Sequence, residues 1–104
     1  MYVTVYITAG NKEEAERIAR TAVEENLAAC VNFFPCRSVY RWKGKVVEES
    51  EYILICKTEK RLFQQLRKRV REIHSYDVPA IVAYDIVEGE DEFLQWVSDA
   101  TGKA

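Results

Sequence analysis

Leu27-Ala28-Ala29-Cys30-Val31-Asn32-Phe33-Phe34-Pro35-Cys36-Arg37-Ser38-Val39-Tyr40-Arg41-Trp42-Lys43-Gly44-Lys45 is the stretch on which the fold turns. Leu27 to Phe34 reads as a continuous apolar strand. Pro35 interrupts it, which marks an edge strand or a bulge, because proline has no N–H to give a ladder. Extended character resumes from Arg37 to Trp42. Lys43-Gly44 suits a tight turn, and Lys45 to Lys57 returns as a strand. At ~3.3 Å per residue the run from Ala28 to Trp42 would extend roughly 50 Å. A compact domain of about 100 residues has a radius of gyration near 13 Å. The Arg37–Ser50 hairpin is therefore expected to project beyond its own sheet as an arm, with Tyr40, Trp42 and Val47 available to a neighbour. The alternative is a hairpin bent back on its own domain at Pro35.

Upstream, Val3, Val5 and Ile7 alternate with Tyr2, Thr4, Tyr6 and Thr8, a period-two strand. Gly10 breaks it. Asn11 is placed to cap a helix, with Glu14 completing a capping box. Ala15, Ile18, Ala19, Ala22 and Val23 give that helix a narrow face of small residues, and Asn26 suits a left-handed stop. Downstream, Thr58 is expected to cap a second helix whose stripe is Phe63, Leu66, Val70 and Ile73 and whose end is His74. Tyr76 to Pro79 reads as a loop and Ala80 to Val87 as a fourth strand. Gly89 and the acids Glu90, Asp91 and Glu92 open a last helix carrying Phe93, Leu94, Trp96 and Val97, since acids favour the positive end of the helix dipole. The tail from Asp99 is expected to fray.

The order β-α-β-β-α-β plus one helix predicts an α+β fold, the ferredoxin-like sandwich, as one domain over residues 1–104. Helices cover one face of such a sheet, so a monomer needs a polar opposite face. Here Ile81 and Ala83 oppose Val82, Tyr84 and Ile86, and Ile53 and Ile55 oppose Tyr52, Leu54 and Cys56, so both faces are apolar. That predicts self-association.

The net charge of −2 gives no reason to expect nucleic acid. No apolar run approaches the roughly 18 residues of a membrane helix. Three cysteines, Cys30, Cys36 and Cys56, do not make a disulfide framework and point to a reducing cytoplasm. Between Lys57 and Glu72 stand seven basic residues and two acids. They read as the solvated face of an amphipathic helix or as an anion-binding face. His74 is the single histidine, either a helix-end residue bonding the last carbonyls or a ligand. Glu48, Glu49 and Glu51 could serve as paired carboxylates in acid–base chemistry, but read rather as a charged strand edge. No glycine-rich phosphate loop is present.

Several motifs in order resemble one family. Leu27-Ala28-Ala29-Cys30-Val31-Asn32 is followed by Ser38-Val39-Tyr40-Arg41-Trp42-Lys43-Gly44-Lys45, Glu51 and Lys57-Thr58. Then come His74-Ser75-Tyr76-Asp77-Val78-Pro79 and Phe93-Leu94-Gln95-Trp96. Together they resemble the CutA, or divalent-cation tolerance, family across essentially the whole chain. The resemblance implies a tight homotrimer similar to the PII signalling proteins, a cytoplasmic location, a link to metal tolerance, copper binding in some members, and no established enzymatic activity. It also shows departures. The family's His-Pro-Tyr-Glu-Val-Pro-Glu reads His74-Ser75-Tyr76-Asp77-Val78-Pro79-Ala80. Ile7 and Ile73 stand where copper-binding members carry a cysteine and a second histidine.

The expectation is therefore a non-enzymatic homotrimer of the metal-response or signalling class. Its site would be a cleft between subunits near Cys30, Trp42, Glu51, Lys57 and Tyr76, with His74 as the metal ligand for copper(II) or another divalent cation. Two rivals remain open. One is a structural trimer acting on a protein partner through the Lys57–Arg71 face. The other is an acylphosphatase-like enzyme, for which Thr8-Ala9-Gly10-Asn11 lacks the arginine a phosphate cradle needs.

Overall fold

The computed structural model describes residues 1–102. The elements run β1 (Tyr2–Ala9), α1 (Lys12–Glu24), β2 (Cys30–Trp42), β3 (Lys45–Glu59), α2 (Phe63–Ile73), β4 (Ile81–Asp85) and α3 (Asp91–Thr101). The strands form one sheet in the order β2-β3-β1-β4, with every neighbouring pair antiparallel. This is the ferredoxin-like α+β arrangement, with α3 as the addition.

The arm projects. β1 pairs β3 only from Ala9↔Tyr52 to Tyr2↔Glu59, so Lys45–Glu51 finds partners in β2 alone, out to Trp42↔Lys45. The molecule is accordingly long, 44 × 26 × 21 Å. Lys43 and Gly44 both have positive φ, 51° and 81°, the left-handed pair that matches strand twist in a two-residue hairpin. Pro35 does not break β2, which runs unbroken opposite Tyr52. As an edge strand in this sheet, β2 tolerates a residue without an N–H.

The register assigns the faces. Val3, Val5, Ile7, Leu54 and Cys56 lie under the helices and are fully buried with Ala15, Ile18, Leu66 and Val70. The opposite face carries Phe34, Ile53, Ile55, Tyr6, Val82 and Tyr84. α3 covers one end of it, where the Tyr2 hydroxyl meets Ser98 Oγ at 2.6 Å and Ser98 donates to Glu59 at 2.5 Å. Beyond α3 this face is open, with Phe34 44% and Tyr84 60% exposed.

Several expectations shift for local reasons. β2 begins at Cys30 because Asn26, at φ 60°, turns Leu27 and Ala28 back to donate to the Ala22 carbonyl, at 2.9 and 3.1 Å. Thr58 does not cap a helix. It lies in β3 opposite Val3, wholly buried, and its hydroxyl donates to the Leu27 carbonyl at 2.8 Å. α2 is entered instead through a 3-10 turn, Lys60–Leu62, without a side-chain cap. β4 is shorter than Ala80–Val87. Val23 faces solvent. α3 continues past Asp99 to Thr101, which is buried and donates to the Val97 carbonyl at 2.9 Å. The last two residues of the expected frayed tail lie outside the described residues.

Candidate functional site

Glu49 and Glu51 are two residues apart on β3, so they project to the same, open face. Ser38, Tyr40 and Trp42 reach that face from β2, and Tyr6 and Thr8 from β1. The segment between α2 and β4 adds Tyr76, Asp77, Val78 and Ala80. Together with Val39 these residues line a cavity of about 560 Å³ at the root of the arm.

Two phenol–carboxylate pairs organise it. The Tyr76 hydroxyl donates to Glu51 Oε2 at 2.5 Å, and the Tyr40 hydroxyl donates to Glu49 Oε1 at 2.6 Å. Glu51 is only 6% exposed. Both phenols are harder to ionise than usual. Burial first, then the bond to Glu51, pushes Tyr76 well up. The bond to Glu49 pushes Tyr40 up to about 12. Burial and the neighbouring Cys36 and Glu51 raise Tyr6 as well. A phenol beside a carboxylate resists becoming a second negative charge.

His74 sits behind Tyr76, with ring centroids 4.8 Å apart. Its side chain is 0% exposed. Nε2 lies 2.7 Å from the Thr8 carbonyl, which can only accept, so Nε2 carries the proton. Nδ1 accepts from the Tyr76 N–H at 3.1 Å. The ring thus bonds β1 and the following turn, not the last carbonyls of α2. Beside it, Glu14 Oε2 accepts from Ser75 N–H at 2.6 Å. Glu14 Oε1 accepts from Gly10 N–H at 2.9 Å. Asn11 caps α1 through Glu14 N–H at 2.8 Å, so the return bond of the capping box falls one residue early, on Gly10. Burial alone would raise the Glu14 carboxyl, but these donors outweigh it and hold it below the usual range.

Of the residues expected to share a cleft, Trp42, Glu51 and Tyr76 do. Cys30 and Lys57 are paired across β2 and β3, at the far end of the open face. Lys57 is six positions along β3 from Glu51, roughly 20 Å of strand. Lys57 donates to Asn32 Oδ1. His74, Ile7 and Ile73 mark the position that the family resemblance assigns to copper. Both His74 nitrogens are engaged, Ile7 is buried in the core, and Ile73 packs against that core. Among the described residues no group of three or more His, Cys, Asp or Glu could hold a metal ion. Tyr40, Glu49, Asp77 and Tyr6 were not singled out as site residues. The alternation of Glu49 with Glu51 was the available signal. Glu48, on the other face, instead pairs with Arg37 at 3.4 Å.

The basic stretch is largely a solvated, paired surface. Arg69 clamps Glu25 at 3.0 Å and reaches Glu72 at 3.2 Å. Lys60 meets Asp85 at 3.5 Å.

The sequence pattern of a family described as CutA1 divalent ion tolerance protein matches residues 3–100. The chain belongs to the CutA1 family. A Thermus thermophilus divalent-cation tolerance protein CutA is 48% identical over 103 residues, covering 98% of this chain and all of that one. The solved structure of CutA from Archaeoglobus fulgidus, described as periplasmic, superposes with a TM-score of 0.96 at 44% identity, covering 97% of this chain and 99% of that one. Human protein CutA is 41% identical over 97 residues, 54% of its own length. CutA1 proteins are named for divalent-cation tolerance and not for a catalysed reaction. No helix among the described residues is long and apolar enough to cross a membrane.

Proposed function

We propose that this protein is a non-enzymatic, homotrimeric member of the divalent-cation response, and that the cavity at the root of the arm is its small-ligand site. The cavity itself carries the reading. Convergent polar groups on an apolar wall, in a volume between about 300 and 1,000 Å³, are the usual form of such sites, and about 560 Å³ falls inside that range. Assembly is supported by the open sheet face and by the exposed Trp42, Phe93 and Trp96. It is also supported by the arm, whose outer half pairs, among the described strands, only within its own hairpin. Three free thiols favour the cytoplasm. Direct copper(II) binding would have to recruit His74 by breaking its two bonds, so we place the metal response in the assembly and its ligand or protein partner.

Native mass spectrometry with copper(II), beside His74→Ala, tests this. A trimer with only weak adducts that persist in the variant is expected. Stoichiometric copper lost in His74→Ala would refute the indirect role, and a monomer would refute the assembly.

A further inference from the structure

We propose that the cavity at the root of the arm takes a small organic cation with a guanidinium or ammonium head. This rests on the reading of that cavity as a ligand site and adds its chemical class.

The lining decides the charge. Glu49, Glu51 and Asp77 stand in it, and among the described residues no lysine, arginine or histidine does. Glu51 is almost fully buried, and the group that bonds it is a neutral phenol. Buried carboxylates are ordinarily matched by a cation, because desolvating an unmatched charge is costly. Among the described residues no basic side chain lines the cavity to supply that match, and a bound cation would supply it. Tyr40 and Tyr76 each engage one oxygen of their carboxylate, which leaves the other oxygens of Glu49 and Glu51 as acceptors for a forked donor.

The walls decide that the cation is organic. Trp42, Tyr40, Tyr6 and Tyr76 offer aromatic surface, which attracts cations through the ring quadrupole. Lys43 places its Nζ 5.9 Å from the Trp42 ring centroid, so this indole already attracts positive charge. A bare divalent ion wants several hard oxygens at once, and the described residues offer no such group. An anion would meet carboxylates with no basic residue to offset them. The Tyr40 phenol, pushed up to about 12 by its bond to Glu49, registers the same carboxylate.

Isothermal titration of the assembled protein with agmatine, butylurea and succinate tests the class, read beside native mass spectra of each sample. Agmatine should bind submillimolar while the uncharged isostere and the dianion do not. Glu49→Gln should weaken agmatine about tenfold or more, the cost of losing a charged hydrogen bond. Trp42→Ala should weaken it about two- to thirtyfold. Agmatine should also change the fluorescence of Trp42 in a Trp96→Phe background. Butylurea or succinate binding as tightly as agmatine would overturn the cation class and leave the ligand site standing. No binding by any of the three, with the trimer intact in every sample, would overturn both. No agmatine binding together with a trimer that falls apart in Glu49→Gln would also overturn the proposal, by showing that a neighbour's basic side chain fills the cavity.

Discussion

Replacing Tyr76 with phenylalanine removes one oxygen and leaves the ring. The ring still packs on His74 and beside Gly10, whose added Cβ would meet it at 3.4 Å. The loss is therefore confined to the 2.5 Å bond to Glu51. A hydrogen bond to a charged group contributes about 1.5–3 kcal/mol, and a buried carboxylate deprived of its donor loses a comparable amount. With Glu51 only 6% exposed, water replaces little of it, so about 2 kcal/mol is expected at pH 7. Glu51→Gln should cost less, about 1 kcal/mol, because the amide oxygen still accepts from the phenol. The double variant should show a coupling energy of about 1–2 kcal/mol, well above the roughly 0.5 kcal/mol within which independent sites add. Urea unfolding at one fixed protein concentration gives all four corners, concentration being held because an oligomer's stability depends on it. The bond also predicts an alkaline signature. The Tyr76 pKa is raised by folding, so its contribution is complete below the unfolded phenol value of about 10 and is lost as pH rises above it. Wild type should thus lose stability above pH 10 more steeply than Tyr76→Phe. A coupling energy under about 0.5 kcal/mol, with matching alkaline limbs, would refute the pairing.

Three further outcomes follow from the packing. Thr58→Val keeps shape but removes the donor to the buried Leu27 carbonyl, so a loss of about 1–3 kcal/mol in urea is expected; an unchanged midpoint would show the bond contributes nothing. Glu14→Gln should destabilise by a similar amount at pH 7. Folding lowers the Glu14 pKa, so wild-type stability is complete above about 4.5 and falls with acid, and the variant's acid limb should be the shallower one. Gly44→Ala places a Cβ at φ 81° in open space. Hairpin strain of about 1 kcal/mol should appear as earlier thermal unfolding of the arm, with no loss of core amide protection.

The fold was legible because its decisive features are periodic. The alternation in Tyr2–Thr8, the small-residue stripe of α1, the Lys43-Gly44 turn and the excessive length from Ala28 to Trp42 are all local patterns. The errors fell where a residue's role depends on a partner far along the chain. Thr58 has the composition of a cap, but β1 supplies strand partners out to Tyr2, and that extends β3 over it. Pro35 marked an edge strand, and β2 is one; only the expected interruption fails, because at an edge the missing N–H is harmless and the strand runs through it. The candidate site was half legible for the same reason. Family motifs picked out Trp42, Glu51 and Tyr76, which one chain gathers by itself, along with Cys30 and Lys57, which lie at the other end of the face within that chain and would reach a cleft between subunits only from a neighbour. Glu49, Tyr40 and Asp77 were hidden because only the β2–β3 register and the loop after α2 bring them together.

That loop connects packing to the cavity. His74 turns inward, where the imidazole holds the Thr8 carbonyl, and Glu14 holds the Ser75 N–H beside it. Tyr76, two residues on, turns outward to Glu51. The His74 Nδ1 bond to the Tyr76 N–H fixes the angle between the two directions. A change that loosens His74 should therefore be read at the cavity before it is read in the core. His74→Gln can keep a donor to Thr8, but it has no ring to set against Tyr76. Its expected effect is a weaker Tyr76–Glu51 coupling energy in the same cycle, with overall stability reduced by less than a buried void would require. If His74→Gln instead lowered stability by the several kcal/mol of a core deletion and left that coupling untouched, His74 would be a packing residue alone. The cavity's geometry would then be set by β3 and the arm without it.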